Sequence, residues 1–264
     1  MYQIGNFLDN DDIKIVDSAG AFTVVEYQRD FSVTPQNAMT AYFSNAMNVR
    51  KRQVVCQLSK SPVTVQAGAM QWMVGNVNAT TGIKGVGDLL GKAVRGKASG
   101  ESVIKPEYTG DGTLVLEPTY KYLILVNVAE WGGSIVLDDG LFLACESGLK
   151  HKAVMRSNLS SAVAGGEGLF NLSLVGNGIV CLESLVPKEE LVEITLNNDV
   201  LKVDGNMAIA WSGSLQFTVE RSGKSLIGSA VSGEGLVNVY RGTGKVLMAP
   251  VNISGTGAGQ EALK

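Results

Sequence analysis

Gly112-Thr-Leu-Val-Leu-Glu-Pro118, Gly178-Ile-Val-Cys-Leu-Glu-Ser184 and Gly244-Lys-Val-Leu-Met-Ala-Pro250 are three versions of one segment, and their leading glycines lie 66 and 66 residues apart. A second landmark keeps step with them. Gly100-Glu101, Gly166-Glu167 and Gly233-Glu234 precede those glycines by 12, 12 and 11 residues, and the last two extend to Gly-Glu-Gly-Leu at 166–169 and 233–236. A third is Asp139-Gly140 against Asp204-Gly205, 65 apart, with Ala67-Gly68 in the corresponding place ahead of Met70-Gln71-Trp72-Met73. Asp-Gly signals a tight hairpin, because glycine takes positive φ at little cost. Landmarks in register mark an internal repeat, with units at 51–118, 119–184 and 185–250.

Within the units, residues alternate with the period of two that half-buried strands require. Tyr122-Leu-Ile-Leu-Val-Asn-Val128, Ser134-Ile-Val-Leu-Asp138, Leu191-Val-Glu-Ile-Thr-Leu196 and Val200-Leu-Lys-Val-Asp204 are examples. The runs 122–126 and 141–145 are apolar on both faces, so both faces must be covered. A unit of this size is marginal alone. The expectation is an all-β fold: three repeated small β-sandwich units in a pseudo-threefold arrangement, forming one compact body with one or two short helices. Open sheet edges in such a body favour capping or ring-like oligomers. Residues 1–50 add strands over 1–33 and a short helix packed on the body. Thr34-Pro35 reads as the helix N-cap and first helical position, and Ala38, Met39, Tyr42, Phe43 and Ala46 then share a face. A second short helix is expected over 86–94, and 251–264 forms a frayed C-terminal tail.

Composition narrows the function. Hydrophobic residues make up 45% and charged residues 18% of 264, a balance that can bury a core and is too poor in charge for a disordered chain. A net charge of −3 speaks against broad nucleic-acid binding, which relies on a positive surface. The three cysteines, Cys56, Cys145 and Cys181, each sit in an apolar run; they read as buried small side chains in a reducing compartment. The first residues carry neither a basic region nor a continuous apolar run, so no signal peptide is expected, and no stretch approaches the ~18 apolar residues of a membrane span. The reading is a soluble, cytoplasmic protein. The four Asn-x-Ser/Thr matches, such as Asn158-Leu159-Ser160, are then taken as coincidence.

His151 is the single histidine and lies in Gly-Leu-Lys-His-Lys-Ala, which reads as a solvated connector. A Ser-His-Asp or Cys-His site would have to use it, and a multi-histidine metal site cannot form within one chain. Gly223-Lys224-Ser225 resembles the end of a phosphate loop, but position 218, where that loop needs glycine, is Thr218. Gly82-Ile-Lys-Gly-Val-Gly87 lacks the βαβ context of a dinucleotide site. Glu101, Glu167 and Glu234 recur at equivalent places. They could gather near a pseudo-threefold axis around a cation, or each could accept backbone N–H bonds in its own turn, and the second reading is preferred. Arg50-Lys51-Arg52, with Lys60 nearby, is the one basic cluster. It is either a solvated run or a binding surface for RNA or anionic lipid, and no aromatic residue beside it offers base stacking. Trp72, Trp131 and Trp211, one per unit, are assigned to packing. No catalytic residue, metal ligand or cofactor site is assigned.

The repeated Gly-Glu-Gly-Leu at 166 and 233, Gly176-Asn-Gly-Ile-Val, Gly242-Thr-Gly-Lys-Val and the Leu141-Phe-Leu-Ala144 strand after Asp-Gly carry a resemblance over about residues 51–250. The chain resembles the altered-inheritance-of-mitochondria type family of bacteria and mitochondria. That resemblance implies a fold like the tryptophan RNA-binding attenuation protein, a double-stranded β-helix sandwich triplicated in one chain, and a trimer forming a nine-unit ring. Biochemical function in the family is largely undefined, and its mitochondrial members are linked with inner-membrane organisation. No RNA-binding or tryptophan-binding motif of the attenuation protein has a match here. The 34–52 segment departs from the family as an insertion, and Gly100-Glu-Ser replaces Gly-Glu-Gly in the first unit. The leading expectation is a non-enzymatic structural or interaction protein acting as a homo-oligomeric β ring, with a trimer favoured and no cofactor. The alternatives are an RNA- or small-ligand-binding module and a peripheral membrane scaffold.

Overall fold

A computed structural model describes residues 2–29, 32–81, 105–155, 170–221 and 236–250. In chain order the strands are β1 (Ile13–Ala19), β2 (Phe22–Tyr27), β3 (Arg52–Gln57), β4 (Val63–Val65), β5 (Met70–Thr80), β6 (Glu107–Leu116), β7 (Tyr122–Asn127) and β8 (Ser134–Leu137). They continue with β9 (Phe142–Glu146), β10 (Leu149–Met155), β11 (Phe170–Gly176), β12 (Ile179–Ser184), β13 (Val192–Asp204), β14 (Ala208–Ser212), β15 (Gln216–Arg221) and β16 (Leu236–Met248). One α-helix, α1 (Ala38–Ala46), separates β2 from β3. The fold is all-β, as its strand periodicity predicts.

A nine-stranded sheet has the order β1-β2-β3-β6-β4-β9-β12-β7, with β5 also on β6; a seven-stranded sheet runs β10-β11-β8-β14-β16-β13, with β15 also on β16. The key element is a bent strand that changes neighbours halfway. β6 pairs with β5 along its length, while its other side meets β4 at Tyr108 and β3 from Thr113 to Val115. β16 pairs with β15 over Leu236–Arg241 and with β14 over Val246–Met248, with β13 on its other side. The same path is split into β11 and β12 in the middle of the chain: β10 and β8 flank β11, and β9 and β7 flank β12.

A glycine with positive φ sits at each change of neighbours: Gly110 at 119°, Gly176 at 133° and Gly242 at 120°. These glycines stand two residues before Gly112, Gly178 and Gly244 and share their 66-residue spacing. A Cβ at Gly110 would lie 2.1 Å from the Asn76 carbonyl oxygen, and one at Gly176 would lie 2.6 Å from the Gly148 carbonyl oxygen. Neither the backbone angle nor the close approach of the partner strand leaves room for a side chain. The turn glycines Gly68, Gly140 and Gly205 are likewise left-handed, at 82°, 77° and 66°.

The units 51–118, 119–184 and 185–250 share sheet edges. β4 pairs with β9, and β8 pairs with β14, so the middle segment is divided between the two sheets. No ladder among the described residues joins β13 or β15 back to β5. The pairings therefore run as an open succession from first segment to third. The strands expected at 191–196 and 200–204 also prove to be one strand, β13. A register shift between Leu196 and Asp199, with Asn198 at φ 52°, absorbs what reads in the sequence as a break.

Sharing sheets explains the runs that are apolar on both faces. Leu123, Leu125, Leu143, Ala144 and Cys181 pack in one core with Phe22, Val54, Val63 and Leu114. Their neighbours Ile124, Phe142, Cys145, Val180 and Leu182 face the opposite way, into a core with Trp131, Ile135, Leu174 and Ala210. β7, β9 and β12 are thus the wall between two cores. A third core holds Trp211, Tyr240, Val246 and Leu196, with the Phe217 ring tilted against Trp211 at 5.4 Å and the Tyr240 ring edge-on to it at 5.3 Å.

Replacing Gly110 or Gly176 with Ala is expected to lower unfolding free energy by about 1–3 kcal/mol each. Gly242→Ala falls at the low end, because its nearest neighbours would be 3.8 Å from the new Cβ. Urea unfolding midpoints measure the difference, and three variants as stable as the parent would contradict the bend argument.

Candidate functional site

The basic cluster becomes something else in three dimensions. Arg52, on the first residue of β3, is only 4% exposed, and its Nη2 lies 2.7 Å from Oε2 of Glu26 at the end of β2. It also donates to the carbonyl and side-chain oxygens of Asn48 at 3.1 and 3.0 Å, and its guanidinium carbon sits 4.3 Å from the centre of the Tyr122 ring. Arg50 shares the same carboxylate, with Nη1 2.9 Å from Oε1 of Glu26, and donates to Gln28 at 3.0 Å. Burial pushes the Glu26 carboxyl up, but the hydrogen bond from Arg50, the charge of Arg52 and the bond from Gln28 outweigh it, and hold it below the usual carboxylate range. Removing one partner from such a buried pair typically costs 3–5 kcal/mol. Arg50 and Arg52 are therefore structural cations that clamp β2 to β3, and for these two residues the reading as part of a solvated run is corrected. Glu26, which organises them, was missed because sequence distance hides it: 24 and 26 residues separate it from its partners.

Helix α1 leaves the body at this clamp. Its N-cap is Asn37, and the side chain makes no cap to the helix; instead Thr34 donates from its backbone N–H and hydroxyl to Asn37 Oδ1 at 2.8 and 3.1 Å. Thr34-Pro35 thus forms the turn before the helix, three residues ahead of Asn37 and Ala38, which take the cap and first helical position expected for them. At the other end Asn45 donates to the Gln28 carbonyl at 3.0 Å, and Arg50 donates to the Asn45 carbonyl at 3.2 Å. The tethers are polar. No residue of the helix is buried, and Met39 (71%), Tyr42 (71%), Phe43 (59%) and Met47 (76%) face outward. The expected apolar face exists but does not pack on the body. Between helix and body lies an open groove of about 710 Å³, lined by Tyr27, Gln28, Asn45, Arg50, Lys51 and Tyr120 among others.

His151 is also relocated. It lies on β10 beside β9, with Nε2 3.1 Å from Sγ of Cys145 and its ring edge-on to Phe142 at 5.6 Å. The solvated connector expected there is a strand, because it pairs with β11, with His151 opposite Leu174. The pair has the spacing of a thiol nucleophile and its base, but its protonation states are the reverse of what such a pair uses. Burial, with the nearby charge of Lys105, lowers His151 to about 4. Burial, and then the opposing effect of Lys105 and the reinforcing charges of Glu146 and Glu107, leaves Cys145 pushed up to about 12. Both groups are neutral near pH 7, so the contact is a neutral hydrogen bond in the core. Cys56 and Cys181 are buried free thiols, also pushed up by burial.

Glu101, Glu167 and Glu234, the 86–94 segment, Gly82–Gly87 and Gly223-Lys224-Ser225 lie outside the described residues. Among the described residues no three His, Cys, Asp or Glu side chains gather closely enough to hold a metal ion. A carboxylate with a clear task is Glu146, whose two oxygens accept from Ala21 N–H and Ile179 N–H, each at 2.9 Å, tying β1–β2 to β12. Trp131 and Trp211 are core residues, and Trp72 packs edge-on to Phe7 at 5.8 Å. No helix among the described residues is long and apolar enough to cross a membrane.

Two shared antiparallel sheets, an Arg–Glu–Arg clamp and an outward apolar helix define this all-β protein. The chain belongs to the mitochondrial biogenesis AIM24 family, whose model matches residues 45–251. It is 31% identical over 199 residues to an uncharacterized protein of Streptococcus pyogenes, covering 72% of this chain and 77% of that protein. A crystal structure of a Streptococcus pyogenes protein superposes with a TM-score of 0.59 at 26% identity, covering 82% of this chain and 95% of that one. The family resemblance drawn from the glycine landmarks is thereby established.

The single imidazole gives a clean test of the buried contact. His151 is expected to titrate with a midpoint near 4 in a proton NMR titration, against 6.5 for a free histidine. The unfolded chain then binds a proton between those values that the folded chain refuses. Stability is full above about pH 6.5 and falls as pH drops toward 4. An unshifted midpoint would place His151 in solvent.

Proposed function

We propose that this chain is a non-enzymatic interaction protein that works as a homo-oligomer, a trimer by preference. The observation that carries this reading is the apolar surface left in water by one chain. Met39, Tyr42 and Phe43 on α1 and Met47 at its C-cap are more than half exposed, and Met73 and Val200 are 43% and 47% exposed on strands. A nine-residue helix is too short to be stable by itself and normally gains its stability from packing an apolar face. An exposed apolar helix face of this kind marks an interaction site. The chemistry at Cys145 and His151 supports the same reading, since both groups are held neutral, the thiol buried and the imidazole half-buried.

A peripheral membrane scaffold is the second reading, favoured by α1 itself: the sequence Ala-Met-Thr-Ala-Tyr-Phe-Ser-Asn-Ala contains no charged side chain. An RNA- or small-ligand-binding module loses its strongest support, because Arg50 and Arg52 are already engaged by Glu26.

Light scattering coupled to size exclusion at two micromolar concentrations is expected to give three times the chain mass at both. A strict monomer would overturn the reading. Flotation with anionic vesicles, abolished by Phe43→Asp, would favour the scaffold instead.

A further inference from the structure

The groove between α1 and the body has two unlike ends. Its helix wall is made of small side chains: Ala38, Ala41, Ser44 and Asn45 line it and are half-buried, at the spacing of one helical face. These side chains do not close the gap to the body, since no residue of the helix is buried. The groove extends from the first turn of α1 to the last, about 13 Å at 1.5 Å per residue. Its volume of about 710 Å³ falls in the range of small-molecule sites.

Positive charge gathers at one end. Arg29, Arg50 and Lys51 line the groove, and no Asp or Glu does. None of these cations comes from α1, which carries no charged side chain. The bonds from Arg50 to the Asn45 carbonyl and from Asn45 to the Gln28 carbonyl fix Arg50, and the residue before Arg29, beside the last helical turn. The other end, at the first turn, is walled by Val33 and Ala38. In a chain of net charge −3, this is a local reversal of sign, and it selects an anion.

The clamp does not exhaust that charge. Arg50 and Arg52 share the single carboxylate of Glu26, so one positive charge is left over. Arg50 uses Nε on the Asn45 carbonyl and Nη1 on Glu26 and Gln28. Its Nη2 makes no hydrogen bond to a described residue, and two N–H groups remain to donate to an anion. A helix C-terminus opposes negative charge, but here the carbonyls of Phe43, Ser44 and Asn45 already accept from Met47, Asn48, Val49 and Arg50.

We infer that this groove binds an unbranched acyl carboxylate, with its head on Arg50 and Lys51 and its tail along Ala41 and Ala38 toward Val33. A single anion on a long apolar body matches one charged end and one apolar end, and the tail asks for no hydrogen-bond partner. The ligand is a free molecule and not a bilayer surface, because the cations lie behind the helix, on the groove side, while Met39, Phe43 and Met47 face outward. This site goes beyond the reading of the chain as an interaction protein and does not depend on it.

Calorimetric titration of the full chain with decanoate, kept below its micelle concentration, tests the site. One decanoate per chain is expected, bound on the order of tenfold more tightly than octanoate, because two methylenes leave water. Decanol, which lacks the charge, is expected to bind about tenfold or more weakly. Lys51→Glu is expected to remove that preference for decanoate over decanol, and Ala41→Phe to block both, with circular dichroism unchanged. If either variant fails to fold, the comparison of decanoate, octanoate and decanol on the parent still decides. No heat with decanoate, equal affinity for decanoate and decanol, or an Ala41→Phe variant that binds like the parent overturns the site. A chain that ignores decanoate but sediments with phosphatidylglycerol vesicles, or titrates with a hexaglutamate peptide, also overturns it, and assigns the cations to a membrane or to an acidic protein segment. The solution mass is measured separately, so any of these results leaves homo-oligomerisation standing.

Discussion

A strand that belongs to two ladders must turn between them without losing its backbone hydrogen bonds, and here a glycine with positive φ makes that turn. Buried N–H and C=O groups have to be paired, so the bend cannot be bought by opening the ladder. At Gly110 the opposing carbonyl of Asn76 comes where any side chain would stand. The long strands β6 and β16, and the split pair β11 and β12, can then lie against one neighbour in the first half and another in the second. From that single allowance follow the two shared sheets, and from the shared sheets follow strands such as β7 and β12 that wall off two cores at once. The apolar runs 122–126 and 141–145 are apolar on both faces for that reason.

Much of this was legible in the sequence because the constraint is local. Gly176-Asn-Gly178 and Gly242-Thr-Gly244 are visible as motifs, and Gly110-Asp-Gly112 completes the set once the first glycine of each is weighed with the second. Glycine is required there by backbone geometry, which sequence records directly. What the sequence could not record is pairing between distant segments. Nothing near Val63 announces that it will face Glu146, and nothing near residue 200 announces that β13 runs unbroken across Asn198. Periodicity fixes which face a residue takes, but leaves open which strand lies beside it.

The candidate site shows the same division. The spacing of Ala38, Met39, Tyr42, Phe43 and Ala46 gives the helix correctly, since 3.6-residue periodicity is local. It does not tell whether the apolar face meets the body or the outside, and it meets the outside. Arg50 and Arg52 look like a free basic patch until Glu26 is brought in by the β2–β3 ladder, after which they are part of the frame. His151 looks solvated between two lysines, yet a strand sends alternate side chains to opposite faces, and the face that His151 takes holds Cys145 and Phe142. In each case the charge or ring was read correctly, and its surroundings were set by pairing at long range.

The central claim is that a glycine with positive φ lets one strand serve two ladders. Amide hydrogen exchange of the parent and of Gly110→Ala, resolved at residues 107–116, tests this most directly. The account predicts that Gly110→Ala speeds exchange at the β6 amides next to the bend, where β6 pairs with β5, while those of Leu123–Leu125 stay slow. Exchange beside the bend as slow as in the parent would contradict it.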